Sequence, residues 1–385
     1  MIRVLVVGGT LALIDRVSER GFHVAVVCRT SGERTTHDLD GPSTTRDAVV
    51  ELVLEAHQRR PFDAVLSLTE SGLILAAELS ELIGIEATSV DAVSLLRDKV
   101  AMREKLSSDD RLAVRSWPVP SEDALAAILT SEQAPVIVKP AQGTASVGVA
   151  LVRDLVDVAD AWNLMCAESD GPWIAEEFLS GPEYSVEVFS HDGEHRIVAI
   201  TEKHTDPDSF VELAHIVPAR LAEHDAQAIS EQVRLFLSQI GIRTGPSHTE
   251  VKLTGSGPRV IESHNRIGGD KIRELVRRAT GVDLLDLTID AAIGAVSLPA
   301  ERPMQGAAAI RFLTPPPGRI ATISTPDGIQ EDEELIITGR PGDESPMKLT
   351  SSARAGYALV SAGSADAAIA RAEQIANAVD FQVVR

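Results

Sequence analysis

His248-Thr-Glu-Val-Lys-Leu-Thr-Gly-Ser-Gly-Pro-Arg-Val-Ile-Glu-Ser-His-Asn-Arg-Ile-Gly-Gly-Asp270 reads as a β-hairpin running into a glycine turn. An alternating run from Thr249 to Leu253 meets a turn at residues 254–258, and a second alternating run starts at Arg259. Pairing Leu253 with Arg259 sets Glu250 directly opposite Glu262 on one face. Like charges directly opposite across a ladder are destabilising. A cation therefore belongs between them, and a hard divalent ion suits two carboxylates. The plain alternative is a solvated hairpin face that happens to carry both. The rest of the chain has to decide between the two.

The composition sets the frame. The chain has 385 residues, enough for two or three domains with cores of their own. Apolar residues make up 44% and charged residues 24%, an ordinary globular balance. Lys plus Arg number 36 against 57 Asp plus Glu, a net charge of −21. Nucleic acid and anionic membrane surfaces both call for a basic footprint, so neither is expected as a partner. Cys28 and Cys166 are the only cysteines, which leaves no disulfide framework or zinc spacing. Cys28 ends an apolar run and reads as buried. The N-terminus enters directly into a strand and a glycine turn, without the pattern of a signal peptide. No apolar stretch approaches membrane-spanning length. A cytoplasmic protein is expected, and nothing in the sequence opposes a homodimer.

Upstream of the hairpin, strands and helices alternate in a way that predicts a small parallel-sheet domain over residues 1–90. Gly8-Gly9 resembles the start of a dinucleotide turn. The third glycine is missing, and Cys28-Arg29 stands where an acidic residue would close the second strand, so a simple tight turn is the better reading. Substrate could still bind at the carboxyl ends of these strands, near residues 8–10 and 69–71. Asp91–Lys105 is predicted as one helix, on which Lys99 alone would read as a surface lysine. From Val136 to Val152 two strands flank a loop of glycine and small residues, with Lys139 closing the first strand. Such a loop offers backbone N–H groups to a phosphate chain, and the lysine adds a point charge. In Trp173–Phe189, Glu176 and Glu177 interrupt an otherwise apolar run, which a polar strand face does not explain. His215 lies in an apolar stretch and by itself reads as a core histidine. Asp270 is predicted to cap the helix Lys271–Thr280. The tail from 296 carries short β-like runs and a final helix, with Arg311 as its one candidate anion-binding residue.

In this order the pieces resemble the ATP-grasp superfamily, and within it the carboxylate–amine ligases of the L-amino-acid-ligase type. The motifs are Asp98-Lys99…Met102-Arg103, then Val138-Lys139-Pro140 with its glycine loop, then Glu176-Glu177-Phe178-Leu179-Ser180-Gly181-Pro182-Glu183. Glu250 and Glu262…Arg266-Ile267-Gly268-Gly269-Asp270 follow. The resemblance implies a mixed α/β and α+β architecture. An N-terminal parallel-sheet domain (1–90) would precede a two-part ATP clamp (91–180 and 181–295) and a β-rich C-terminal lobe (296–385). It implies ATP and Mg2+ as cofactors and small carboxylate and amine substrates. Lys99 and Lys139 would hold phosphates, and the loop from Gly143 through Ser146 and Val147 to Gly148 would close over them. Glu176, Glu177, Phe178 and Leu179 would form the adenine edge, and Glu183 would meet the ribose. Glu250 and Glu262 would bridge metal to phosphate. Arg266 would stabilise an acyl phosphate, with His215 beside a substrate.

One departure is visible. The family pattern Glu-x-Asn-x-Arg is here Glu262-Ser-His264-Asn265-Arg266. Strand alternation turns His264 toward the side of Glu262 and Asn265 away. Either His264 takes the metal-facing position, the reading favoured here, which would make it a metal residue with Glu250 and Glu262, or the strand ends early and Asn265 swings in. Because Mg2+ prefers oxygen ligands, a phosphate contact is the other role open to His264. The resemblance implies an ADP-forming ligase that joins a carboxylate to an amine. The same activation with a carrier-protein thiol or another small nucleophile as acceptor, a nicotinamide-dependent oxidoreductase, and a non-catalytic nucleotide-binding regulator are the competing readings.

Overall fold

The computed structural model describes residues 1–27, 39, 45–143, 147–207, 209–295, 298, 304–347 and 350–384. Cys28 and Ser146 lie outside them. Arg3–Val7 is buried from end to end and pairs in parallel with His23–Val27 on one side and Ala64–Leu66 on the other. A strand covered on both faces reads as a continuous apolar run, and this one does. Leu13, Ile14 and Val17 cover one face together with Leu285 and Ile289 of the distant helix Leu284–Ala292. Helices Arg46–Arg59 and Leu73–Ile83 cover the other. The N-terminal sheet thus borrows a helix from beyond the hairpin, and the pair Arg16–Asp286 at 2.7 Å ties it on.

The middle of the chain forms two sheets facing a cleft. A four-stranded antiparallel sheet runs in the order Ser116–Pro118, Trp173–Glu177, Val136–Pro140, Ala150–Val152. Its apolar face packs on helices Glu122–Glu132 and Val158–Glu168 through Leu125, Leu129, Val158 and Met165. The larger sheet has eight strands. It begins at Gly257–His264 and Gly245–Thr254, continues through Glu183–His191, Glu194–Thr205 and Glu212–Val217, and ends in Ala307–Phe312, Gly356–Ala362 and Glu334–Ile337. Helix Glu223–Ile240 presses Ile229, Val233, Phe236 and Leu237 against Val186, Val188 and Val251. Three strands of the C-terminal lobe therefore extend the hairpin's own sheet. Alternate residues of Ala307–Phe312 meet helix Ile272–Thr280 on one face and helix Ala365–Asn377 on the other. A small separate sheet joins Gly318–Ser324 to Glu344–Ser345 and to Asp380–Val384, a last strand the sequence reading did not include. No helix among the described residues is long and apolar enough to cross a membrane.

The single helix expected over Asp91–Lys105 is two helices, Val90–Arg97 and Lys99–Leu106. Asp98 breaks it. Its backbone is extended, and its carboxylate accepts from the N–H groups of Val100 and Ala101, so it caps the second helix. An aspartate that satisfies orphan N–H groups competes with helix continuation. The break lets the Lys99 N–H bond to Ala141 O at 3.1 Å, beside the glycine loop, and buries a lysine that looks superficial in sequence. Replacing Asp98 with Ala is expected to cost about 1 kcal/mol in urea unfolding. A change indistinguishable from zero would remove Asp98 as the cause of the break.

Candidate active site

The hairpin reaches its facing glutamates by a route its alternation does not reveal. Leu253 pairs with Pro258 rather than Arg259, Lys252 with Arg259 and Val251 with Val260. A bulge follows, and Glu250 then lies opposite Glu262. Ile261 is the extra residue, and it restores the opposition that the tip register alone would have lost. Arg103 secures the bulge. Its guanidinium donates to Val260 O at 2.9 Å and Ile261 O at 2.7 Å, and its Nε donates to Glu176 at 2.8 Å. On the hairpin's other side Gly181 comes so close that a Cβ there would stand 2.1 Å from Leu253 O.

The two carboxylates are neutralised from separate directions. Lys203 Nζ lies 2.6 Å from Glu250, 2.7 Å from Glu183 and 3.6 Å from Glu212. Burial disfavours its charge, but these three carboxylates outweigh that and hold the ammonium well above its ordinary range. Lys99 Nζ sits 2.9 Å from Glu262 and donates to Gly143 O at 2.9 Å, linking the hairpin to the glycine loop. Glu262 is itself held well below the carboxylate range: Lys99 and His264 overcome its burial. Lys139 pairs with Glu176 at 2.7 Å. Glu176 is buried, yet Arg103 and Lys139 together bring its carboxyl down to about 2. Its side chain thus orients two cations, while Glu177 turns outward to Arg115 at 3.2 Å.

Two cavities meet at the hairpin. The first is bordered by Lys99, Lys139, Gly143 and Val147 on one side. Residues 176–179, Glu183, Glu250 and Glu262 complete it, together with Lys252, which lies 3.1 Å from Glu183. The second is lined by His215, His264, Arg266 and Asp270, among others. Glu250 and Glu262 border both. Arg311 borders neither: it pairs with Ala214, on the face of the sheet opposite to His215.

Behind the second cavity the N-terminal domain contributes Glu70, from the stretch flagged as a strand end. It binds Arg97, Arg266 Nε and His264 Nδ1, the last at 2.8 Å. Burial opposes its charge, but His264, Arg266 and Arg97 hold it at about 2. The His264 Nε2 faces Glu262 at 3.4 Å, so both ring nitrogens of His264 are directed at carboxylates, and the side chain bridges them. Asn265 turns away and donates to Pro246 O at 2.9 Å. His248 sits 2.8 Å from Glu187 and 3.5 Å from Glu250; burial lowers its pKa, but these carboxylates raise it to about 9. Gly268 is needed beside it, because a Cβ there would stand 2.7 Å from the His248 ring.

Asp270 does not cap the following helix, as its sequence position had suggested. Asp270 and Lys271 both have positive φ, of 49° and 65°, and no side chain caps helix Ile272–Thr280. The Asp270 carboxylate is gripped instead by Arg354 at 2.6 and 2.7 Å, with His215 Nε2 at 3.5 Å. Lys203, Glu70, Arg354 and the structural role of Arg103 were not read from the sequence. The nearest signals were Lys203 within an alternating charged run and Glu70 at a strand's carboxyl end. Arg354 had none.

A parallel-sheet domain, two sheets facing a lysine-lined cleft, and paired glutamates on a hairpin make up an ATP-grasp fold. Residues 132–274 match the family model of the ATP-grasp domain, and residues 311–384 match the L-amino acid ligase C-terminal domain 2. The chain thus carries an ATP-grasp domain joined to an L-amino acid ligase C-terminal domain. It is 28% identical to the alanine–anticapsin ligase of Bacillus subtilis (strain 168) over 269 residues, which cover 63% of this chain and 57% of that protein. It is 24% identical to an L-arginine-specific L-amino acid ligase of Bacillus subtilis, over 74% of this chain and 70% of the relative. Its fold is similar to the crystal structure of an L-amino acid ligase from Bacillus licheniformis, with a TM-score of 0.81 at 20% identity, covering 100% and 99% of the two chains. The match to the alanine–anticapsin ligases spans less than three fifths of their length.

The Glu176 cluster has an acid signature. Its carboxyl titrates near 2 folded and near 4.5 unfolded, so it contributes stability above pH 4.5 that is lost as pH falls toward 2. That contribution is about 3 kcal/mol. Glu176→Gln is expected to be less stable at pH 7 and to lose less between pH 5 and 3 than the parent, measured by urea unfolding at each pH. Parallel losses in the two proteins would contradict the assignment.

Proposed function

We propose that the chain is an ADP-forming ligase that activates a carboxylate as an acyl phosphate and joins it to an amine, with amino acids as substrates. The observation that carries this reading is the pair Glu250 and Glu262, which borders both cavities. A nucleotide in the first cavity would have its phosphates beside the carboxylates that a substrate in the second also faces. In this reading residues 91–180 and 181–295 form the clamp around the nucleotide.

Each step then has residues to carry it. Lys99 and Lys139 neutralise phosphate charge, and residues 177–179 offer an edge for the base. Glu183, held between Lys203 and Lys252, would meet the ribose. The substrate carboxylate oxygen attacks the terminal phosphorus and ADP leaves. The amine nitrogen then attacks the carbonyl carbon, and phosphate departs with that oxygen as the amine loses a proton. Arg266, steadied by Glu70, offers charge to the acyl phosphate from the second cavity. Such catalysis consists mainly of positioning and charge neutralisation.

Magnesium fits the donor set. Among the described residues no three acidic, His or Cys side chains form a metal cage. Mg2+ in phosphate sites uses one or two carboxylates and completes its shell with phosphate and water, which two opposed glutamates satisfy. Glu250 and Glu262 would hold it, and when bound it neutralises charge on the transferring phosphate. His264, committed to Glu70 and Glu262, is better suited to orienting Glu262 than to ligation. A phosphate-release screen with MgATP and amino acids in pairs is expected to find turnover. Lys139→Met should lower it about 100-fold and Glu262→Gln at least about 10-fold. Equal rates in the parent and both variants would contradict the proposal.

A further inference from the structure

The second cavity has two ends. One is the seam with the nucleotide cleft, at Glu250, Glu262 and Arg266. The other is walled by Asp270, Arg354, Ser351 and His215, and the proposed reaction gives these four no chemical step. Arg354 comes from the C-terminal lobe and is fixed on every side. Both terminal nitrogens hold Asp270, Nε donates to Ser351 O at 3.0 Å, and the guanidinium lies 4.0 Å from the centre of the Phe312 ring. The ion pair is not sealed. Side-chain exposure of 26% for Asp270 and 13% for Arg354 leaves its edge open to the cavity. Ser351 Oγ and His215 Nδ1 are buried and have no hydrogen-bond partner among the described residues. Ile272 is the one apolar side chain bordering the cavity among those residues.

We infer that this wall is a side-chain subsite selecting an amino-acid substrate with a short, neutral, hydrogen-bonding side chain, an amide or a hydroxyl. The inference rests on the ligase reading and deepens it. An apolar side chain seated here would strip water from the ion pair and leave Ser351 Oγ and His215 Nδ1 without partners. A pocket built from polar groups rejects a ligand that cannot pair with them far more strongly than an apolar pocket rejects an extra methylene. A charged side chain is also disfavoured, because Asp270 and Arg354 saturate each other and either would have to be released. An amide or hydroxyl can donate and accept without breaking the pair.

The test is phosphate release with MgATP, giving Asn, Gln, Ser and Thr against Leu, Met and Phe, each with the same series of partner amino acids. The parent protein is expected to show kcat/KM at least about 10-fold higher for the polar set, carried mainly by KM. The double variant Asp270→Leu, Arg354→Leu replaces the pair by apolar surface and should shift that ratio toward Leu and Met. Calorimetric binding of MgAMPPNP shows whether this variant retains its nucleotide site. Ser351→Ala leaves the ion pair in place and should lower the ratio several-fold, which keeps the inference testable if the double variant fails to fold. A parent preference for Leu, Met or Phe overturns the inference and leaves the ligase reading standing. So does an unchanged ratio in Ser351→Ala, or in a double variant that binds nucleotide. No phosphate release by the parent with any pair overturns the ligase reading and this inference with it.

Discussion

Two glutamates face each other across one rung of a β-ladder, and much of the molecule is arranged to make that tolerable. Two like charges about 4 Å apart repel by roughly 4 kcal/mol at an effective dielectric near 20. Lys203 answers Glu250 from the neighbouring part of the sheet, and Lys99 answers Glu262 from a helix start that exists because Asp98 interrupts the helix before it. Arg103 fixes the bulge that creates the opposition and, through Glu176, sets Lys139 beside it. A cation-rich shell around two carboxylates is stable as it stands. In the proposed reaction, phosphates would take the place of these carboxylates as partners of the same lysines.

The N-terminal sheet, the hairpin's sheet and the C-terminal strands are joined through this chemistry as well as through their cores. Glu70 extends from the N-terminal sheet to His264 and Arg266 just past the hairpin, so the arginine nearest the proposed acyl phosphate is steadied by another domain. Helix Leu284–Ala292 returns to cover that N-terminal sheet. At the far side the C-terminal lobe adds three strands to the hairpin's own sheet and sends Arg354 back to Asp270. The cavity beside the hairpin is therefore walled by residues from Lys203 to Arg354 and backed by Glu70 from the N-terminal sheet.

What was legible in the sequence was local. The order of strands and helices, the glycine loop after Lys139, and the acidic pair Glu176-Glu177 inside an apolar run are patterns within short windows. They were enough to point to the ATP-grasp fold. What escaped was set by distant partners or by a single inserted residue. Alternation around Glu250 and Glu262 does not say where a bulge lies, so the tip register was off by one while the facing pair was still found. Asp270 satisfies every local rule for a helix cap, but a bidentate arginine 84 positions later is the stronger partner. Lys203 and Glu70 look like surface charges until the sheet and the N-terminal domain close around them.

The most direct test of the central claim follows an oxygen atom. The amino acid giving the fastest phosphate release would be supplied with 18O in its carboxylate, together with MgATP and its partner, and the released phosphate analysed by mass spectrometry. Activation through an acyl phosphate carries one carboxylate oxygen into each phosphate released, so singly labelled phosphate is expected in proportion to product. Unlabelled phosphate would mean that ATP is cleaved by water or that the carboxylate is activated another way, and the account of the paired glutamates as the seam of a ligase site would fail.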